Sequence, residues 1–197
     1  MNTTVKWVLI GVAVAAFVGF LIGFVEGASG AQFGFLKVMV ATFAGVFTAF
    51  IGLNLSGNRR GVQVAPSDAR VALEGELPAG QGRLVVYREG FVGSMAGVNL
   101  AVDGQEMAQI KSPRFTVIRL SPGAHRLAAG FGGLAKAQNH QAEAEFLIQE
   151  GQTIAYRAVV SMGAIKNTIR LEQQDDLKAV GAALAKSRMT APDRDGI

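Results

Sequence analysis

The sequence predicts a membrane α-helical hairpin followed by a mainly β soluble domain. Two long apolar runs lie before Gly57, and only three charged residues, Lys6, Glu26 and Lys37, accompany them. After Gly57 the apolar residues form short runs that alternate with polar residues and are separated by turn residues, which is typical of strands. The 197 residues have room for one such domain beside a short membrane anchor.

The two apolar runs cover residues 5–25 and 35–55, and each is long enough as a helix to cross about 30 Å of hydrocarbon. Residues 1–56 are therefore predicted to form a two-helix transmembrane hairpin in a lipid bilayer. A cleaved signal peptide is the alternative for the first run, because Lys6 precedes it and small residues follow it. The length of the run and the second span directly after it favour the hairpin.

The charges that flank the hairpin predict its orientation. Lys6 and the amino terminus precede the first run, and Arg59 and Arg60 follow the second. Because positive flanks stay in the cytoplasm, we expect a multi-pass protein of the bacterial inner membrane with both termini cytoplasmic.

Small residues recur at every fourth position of both apolar runs. They are Gly11, Ala15, Gly19 and Gly23 in the first run, and Ala41, Gly45 and Ala49 in the second. Such ladders let helices approach closely in lipid, where hydrophobic drive between helices is weak. Two interpretations stay open at this point: the ladders pack against each other, or one of them faces another copy or a partner subunit.

The remainder of the chain divides into a linker, a β domain and a tail. Residues 57–82 contain Pro66 and Pro78 and are predicted to be a tether with a short amphipathic helix at residues 67–77. Residues 83–186 are predicted to form an antiparallel β-sandwich of about seven strands. A C-terminal helix follows Asp175 and Asp176 and packs on the sandwich edge. Residues 187–197 are predicted to be a disordered tail.

The strands are placed by alternation and by turn residues. Asp103 and Gly104 form a two-residue turn of a kind that closes hairpins. The predicted strands lie at residues 84–87, 98–102, 107–110, 115–120, 143–148, 153–160 and 168–171, and a further strand starts near residue 125.

Neither the composition nor the two histidines indicate a catalytic, metal-binding or nucleotide-binding site. The net charge is +4 without blocks of like charge, so nucleic acid is not an expected partner. The chain has no cysteine, and His125 and His140 belong to no recognisable metal or catalytic pattern. Glycines 130, 132 and 133 fit neither a P-loop nor a dinucleotide fingerprint. We expect no enzyme activity, no metal and no cofactor.

Three large apolar side chains, Phe91, Met95 and Phe131, lie in predicted loops, the last of them in a glycine-rich loop at residues 130–141. Buried, they would belong to the core. Exposed, they would mark a surface that binds a protein partner.

Several motifs occur in a fixed order between Arg83 and Lys186. They are Tyr87-Arg88 before the Phe-Val-Gly-Ser stretch at residues 91–94, the hairpin at residues 98–104, the Pro-Gly-Ala-His turn at residues 122–125, and the segments at residues 150–156, 160–163 and 169–171. In this order the chain resembles a bacterial family of domains of unknown function related to PEGA-type domains.

The resemblance implies a small β-sandwich without assigned catalytic activity, frequent in exported or lipid-anchored proteins. It also implies that His125 is a turn residue that hydrogen-bonds backbone. This chain has no lipobox cysteine and carries a hairpin in place of the lipid anchor. A periplasmic β domain is therefore the alternative to the cytoplasmic one.

Together these features predict a non-enzymatic, membrane-anchored accessory or scaffold protein that presents its sandwich to a protein partner, as a subunit of a larger complex. Two alternatives stay open: a homo-oligomeric assembly or pore built on the glycine ladders, and a small-ligand-binding domain that uses the loop at residues 130–141.

Overall fold

The computed structural model describes residues 1–59, 65, 75–133, 136, 139–161, 167–194 and 196. The chain folds into two units, Met1–Ser56 and Gly57–Ile197. The predicted amphipathic helix at residues 67–77 lies mostly outside the described residues.

The first unit consists of two helices, α1 (Thr3–Ser29) and α2 (Phe35–Leu55). Both are long and apolar enough to cross a membrane. The Asn2 side chain caps α1 by accepting from Thr4 N at 3.0 Å, and Gly30 ends it in a left-handed conformation at φ 72°. Across the connecting turn, Lys37 Nζ lies 2.5 Å from Glu26 Oε2. The two charges that bracket the turn therefore pair with each other.

Within the described residues, the second unit has two sheets and one helix, in agreement with the mainly β prediction. Its strands are β1 (Gly82–Arg88), β2 (Val98–Val102), β3 (Gln105–Ile110), β4 (Arg114–Leu120), β5 (Gly123–Phe131), β6 (Asn139–His140), β7 (Ala142–Ile148), β8 (Thr153–Ser161), β9 (Asn167–Gln174) and β10 (Arg188–Met189), and its helix is α3 (Leu177–Ala185).

The sheets have the orders β10-β4-β1-β8-β9-β6 and β3-β2-β5-β7. Apolar side chains of both sheets meet in one core, including Leu84 and Ile118 of the first and Leu100 and Leu127 of the second. The pairing differs from the all-antiparallel prediction, because β1 with β8, β4 with β10, and β6 with β9 pair in parallel. Parallel pairing joins segments distant in sequence, which hairpin turns cannot reveal.

The predicted hairpin at Asp103 and Gly104 is confirmed. These residues have φ values of 50° and 79°, and they join β2 to β3. Positive φ at both central positions matches the right-handed twist of the two strands.

Helix α3 packs on the outer face of the six-stranded sheet, and not on its edge as predicted. Val180 and Leu184 lie against Val85 and Tyr87 of β1. Strand β1 is therefore covered on both faces, which explains its continuous apolar run. Asp176 caps the helix, with Oδ1 accepting from Lys178 N at 2.9 Å and from Ala179 N at 3.2 Å.

Part of the predicted disordered tail has a defined place. Strand β10 adds to β4, and Thr190 N donates to Phe115 O at 2.7 Å. Met189 is buried in the cluster beneath α3. The sequence did not reveal this because the tail, with Pro192 and mixed charges, has no alternating pattern of its own.

The start of the predicted linker is also fastened. Gln109 donates to Gly57 O at 3.0 Å and accepts from Arg59 N at 2.8 Å. Asn58 donates to Met95 O at 2.9 Å and accepts from Gly97 N at 2.6 Å. Residues 57–59, which we call the clamp segment, therefore belong to the β unit.

Candidate functional site

The two small-residue ladders face each other within the hairpin. A Cβ built at Gly11 would lie 2.6 Å from Gly45 O and 3.0 Å from Ala49 Cβ. A Cβ at Gly45 would lie 2.8 Å from Ala15 Cβ, and one at Gly19 would lie 3.7 Å from Ala41 Cβ. The backbones thus approach closely at Gly11 and Gly45, which supports the intramolecular interpretation.

Gly23 does not take part in this contact. A Cβ built there has nothing within 4 Å. At the other end of the hairpin the ring of Trp7 packs directly on Gly52, a residue outside the predicted ladder.

A disulfide test follows from this geometry. The double variant Gly19→Cys/Ala41→Cys is expected to form an intramolecular disulfide on mild oxidation, because the Cβ separation lies within the range of about 3.5–4.5 Å that disulfides need. Non-reducing gel electrophoresis should show a shifted monomer. The natural chain has no cysteine, so only the two introduced thiols can react. Disulfide-linked dimers as the main product would instead place the ladders between copies.

The three candidate partner-binding side chains separate in the structure. Phe91 and Met95 are 92% and 68% exposed in the loop between β1 and β2, which we call the β1–β2 loop (residues 89–97). Phe131 is only 7% exposed and lies in the core at the end of β5. The prediction that Phe131 is a candidate partner-binding residue is therefore corrected. Strand β5 extends into the predicted loop and turns the Phe131 ring inward.

The β1–β2 loop is held from inside by Arg88. This residue is 1% exposed, and its guanidinium donates to Ala96 O at 2.6 Å, Gly93 O at 2.7 Å and Val92 O at 3.0 Å. It also stacks 5.7 Å from the Phe131 ring. Burial lowers the pKa of Arg88 to about 10, so it stays protonated at neutral pH.

The outer face of the four-stranded sheet forms an open groove of about 1010 Å³, which we call the outer groove. Its floor consists of small residues, Ala101, Ala124 and Ala128, which keep the surface low. Ionisable side chains border it, namely Asp103, Glu106, His125, Arg126, Glu143 and Glu145. Leu147, on the edge strand β7, is 63% exposed beside them. The border thus holds four acidic groups against two basic ones.

His125 is fixed at one end of this groove. Its Nδ1 lies 2.6 Å from Asp103 Oδ2, and its Nε2 lies 2.8 Å from Ser121 O. Asp103 Oδ1 also accepts from Arg126 N at 2.8 Å. Both ring nitrogens face acceptors, so the doubly protonated ring satisfies both. The contact with the Ser121 carbonyl agrees with the turn role that the sequence resemblance implies.

The surroundings shift both groups of this pair. Burial opposes the charge on His125, but the hydrogen bonds to Asp103 and to the Ser121 carbonyl outweigh it and raise its pKa. Burial likewise opposes the charge on Asp103, while the bonds from His125 and Arg126 N outweigh it and lower its pKa.

The stability of the β unit should therefore depend on pH in a defined way. The His125 contribution is complete below its unfolded pKa of about 6.5 and is lost as pH rises through the higher folded pKa. The Asp103 contribution is present above its unfolded pKa of about 3.9 and is lost as pH falls through the lower folded value. Thermal unfolding of the full chain in detergent should give a falling Tm from about pH 6.5 upward. His125→Gln should remove that slope, and an equal slope in this variant would contradict the assignment.

His140 is not part of this pair. It lies in β6 of the six-stranded sheet, where it pairs in parallel with Thr168 of β9. Among the described residues, no group of three His, Cys, Asp or Glu side chains could hold a metal ion. The loop predicted at residues 130–141 lies only in part within the described residues.

Sequence reasoning missed two of these features. Arg88 follows Leu84 and Val86 at even spacing on β1, so its position on the inner face was available from the alternation. The Asp103 and His125 contact depends on β2 lying beside β5, which local patterns do not specify.

No family model matches the chain, and no curated protein shows significant similarity to it. The resemblance to PEGA-type domains stays a prediction.

Proposed function

We propose that this chain is a non-enzymatic, membrane-anchored accessory protein of the bacterial inner membrane, in which the helices cross the bilayer as a hairpin and the β unit, a β-sandwich, binds a protein partner. The surface of the helices supports the anchoring. Large apolar side chains such as Phe17, Phe20, Phe43 and Phe47 are more than half exposed along both helices. A bilayer would cover an apolar surface of this extent.

The outer groove is the observation that carries the partner-binding proposal. The six-stranded sheet has α3 on its outer face, whereas outward side chains of the four-stranded sheet, such as Arg126, Glu143 and Leu147, are exposed. Its small-residue floor leaves room for an added chain, and β7 is an edge strand that can pair with one. The acidic excess at the border favours a basic partner segment.

A charge reversal tests this proposal. The full chain, tagged and purified in mild detergent from the membranes of its own organism, should retain a stoichiometric partner. Glu143→Lys/Glu145→Lys should abolish retention, because the border then repels a basic segment. The matched control Glu76→Lys/Asp175→Lys changes the net charge equally at exposed positions outside the groove and should retain the partner.

Equal retention by both double variants would remove the outer groove from the proposal. Recovery of the protein in the soluble fraction after cell lysis would contradict the proposed membrane anchoring. A reporter fused to the carboxyl terminus and active only in the cytoplasm should be active, as the flanking charges predict.

A further inference from the structure

The chain that leaves α2 reaches the β1–β2 loop almost at once. Leu55 is the last residue of α2, and Asn58 follows three residues later. Three residues span at most about 11 Å, whatever the orientation of the two units. Asn58 then bonds on both sides of the loop end, to Met95 O and to Gly97 N. The covalent connection from Leu55 to Asn58 therefore limits how far the base of the loop can lie from the end of α2.

The loop is ordered as well as tethered. Gly90 O accepts from Ser112 Oγ at 2.6 Å, and Ser94 N donates to Phe91 O at 3.1 Å. Arg88 holds three of its carbonyl groups from beneath. Positive φ values of 99° at Gly90 and 59° at Gly93 shape the turn, a conformation that glycine adopts without strain. The exposed positions of Phe91 and Met95 are thus built into the fold.

The length of α2 determines what lies at its end. Its 21 residues measure about 32 Å, which matches a hydrocarbon core of about 30 Å. Leu55 then lies at the boundary between hydrocarbon and headgroups. That boundary is where exposed apolar and aromatic side chains are favourable rather than costly.

We propose that Phe91 and Met95 insert into the interfacial layer of the same bilayer that the hairpin crosses, so that the β1–β2 loop is a second, peripheral membrane contact. The occupant of this surface is lipid. The inference rests on the proposed membrane anchoring, and it assigns the end of the β unit that carries the clamp segment to the membrane surface. The outer groove near His125 and Leu147 is left for a protein partner.

A fluorescence experiment on the full chain tests this. Trp7 is the only tryptophan, so Trp7→Phe gives a silent background. In that background, Phe91→Trp and Met95→Trp each place a probe in the loop. Leu147→Trp is the control, because Leu147 is also an exposed apolar residue but lies far from the loop. On β5, Phe131 pairs with Val98 at the end of the loop, whereas Ala124 pairs with Leu147, and these two positions of β5 are about 23 Å apart. Phe20→Trp reports insertion of the hairpin itself.

Each variant is reconstituted into phosphatidylcholine vesicles with brominated acyl chains, which quench tryptophan on contact, and into unbrominated vesicles. The probes at residues 91 and 95 should lose most of their emission in brominated lipid and shift to shorter wavelength, whereas the probe at residue 147 should do neither. Agreement between the two loop probes guards against a local disturbance by either substitution.

The outcomes separate the two proposals. Quenching at residue 20 without quenching at residues 91 and 95 would overturn the lipid contact and leave the anchoring intact, with the loop free for a protein. Absence of quenching at residue 20 would overturn the anchoring and, with it, this inference. Equal quenching at residues 91 and 147 would overturn the assignment of one end of the β unit to the membrane.

Discussion

Replacing Arg88 with methionine is expected to lower the free energy of unfolding of the β unit by about 3 kcal/mol. The substitution keeps a flexible, unbranched stem but removes the guanidinium, which leaves the carbonyl groups of Val92, Gly93 and Ala96 without their donor. These hydrogen bonds are partly buried, so each carbonyl that loses its donor costs free energy, and the three losses fall in one loop. Urea titration of the full chain in detergent, followed by circular dichroism and tyrosine fluorescence, measures the change, since Tyr87 and Tyr156 both lie in the β unit.

Arg157→Met is the matched control. Arg157 is also on a strand of the six-stranded sheet, but it is partly exposed and pairs with Glu89 at 3.0 Å. Its removal should cost less than about 1 kcal/mol, as is usual for surface ion pairs. The loss of stability caused by Arg88→Lys should lie between those of Arg88→Met and Arg157→Met, because an ammonium group keeps the charge but lacks the planar set of donors. Equal effects of Arg88→Met and Arg157→Met would contradict the role assigned to the buried guanidinium.

Replacing Gly45 with valine is expected to separate α1 from α2 and to destabilise the hairpin by about 3 kcal/mol. The first added carbon would lie 2.6 Å from Gly11 O, so the backbones cannot keep their distance. Titration with sodium dodecyl sulfate, followed by the fluorescence of Trp7, reports the loss of packing, because the Trp7 ring rests on Gly52 between the helices.

Gly23→Val makes the same chemical change on the first helix, at a position with nothing within 4 Å. It should change the free energy of unfolding by no more than about 0.5 kcal/mol and so shift the detergent midpoint little. If the two valine variants behaved alike, the close contact between Gly11 and Gly45 would not hold the hairpin together. A large effect of Gly23→Val alone would move the important contact to another face of α1.

The exposure of loop side chains could not be read from the sequence. Phe91 and Phe131 are both phenylalanines beside glycines, yet one is almost fully exposed and the other is buried. The difference arises because Phe131 continues the inward alternation of Leu127 and Ala129 on β5. Phe91 instead lies on a turn whose carbonyl groups accept hydrogen bonds from Arg88. The register of β5 against β2 decides which of them enters the core.

The sequence by itself determined the two apolar helices, the spacing of their small residues, most strand positions and the hairpin turn at Asp103 and Gly104. These features depend on residue type and on spacing within one segment, and local propensity is enough to specify them. Two positions of that pattern, Gly11 and Gly45, are where the helices approach closely.

Only the tertiary structure decided the parallel pairing of β1 with β8, the addition of β10 to β4, and the position of α3 over the centre of a sheet. In the first of these, Arg83 lies beside Thr153, a partner 70 residues away. Contacts at such separation are selected by how completely the whole chain buries its apolar surface and satisfies its backbone, and no local segment carries that information.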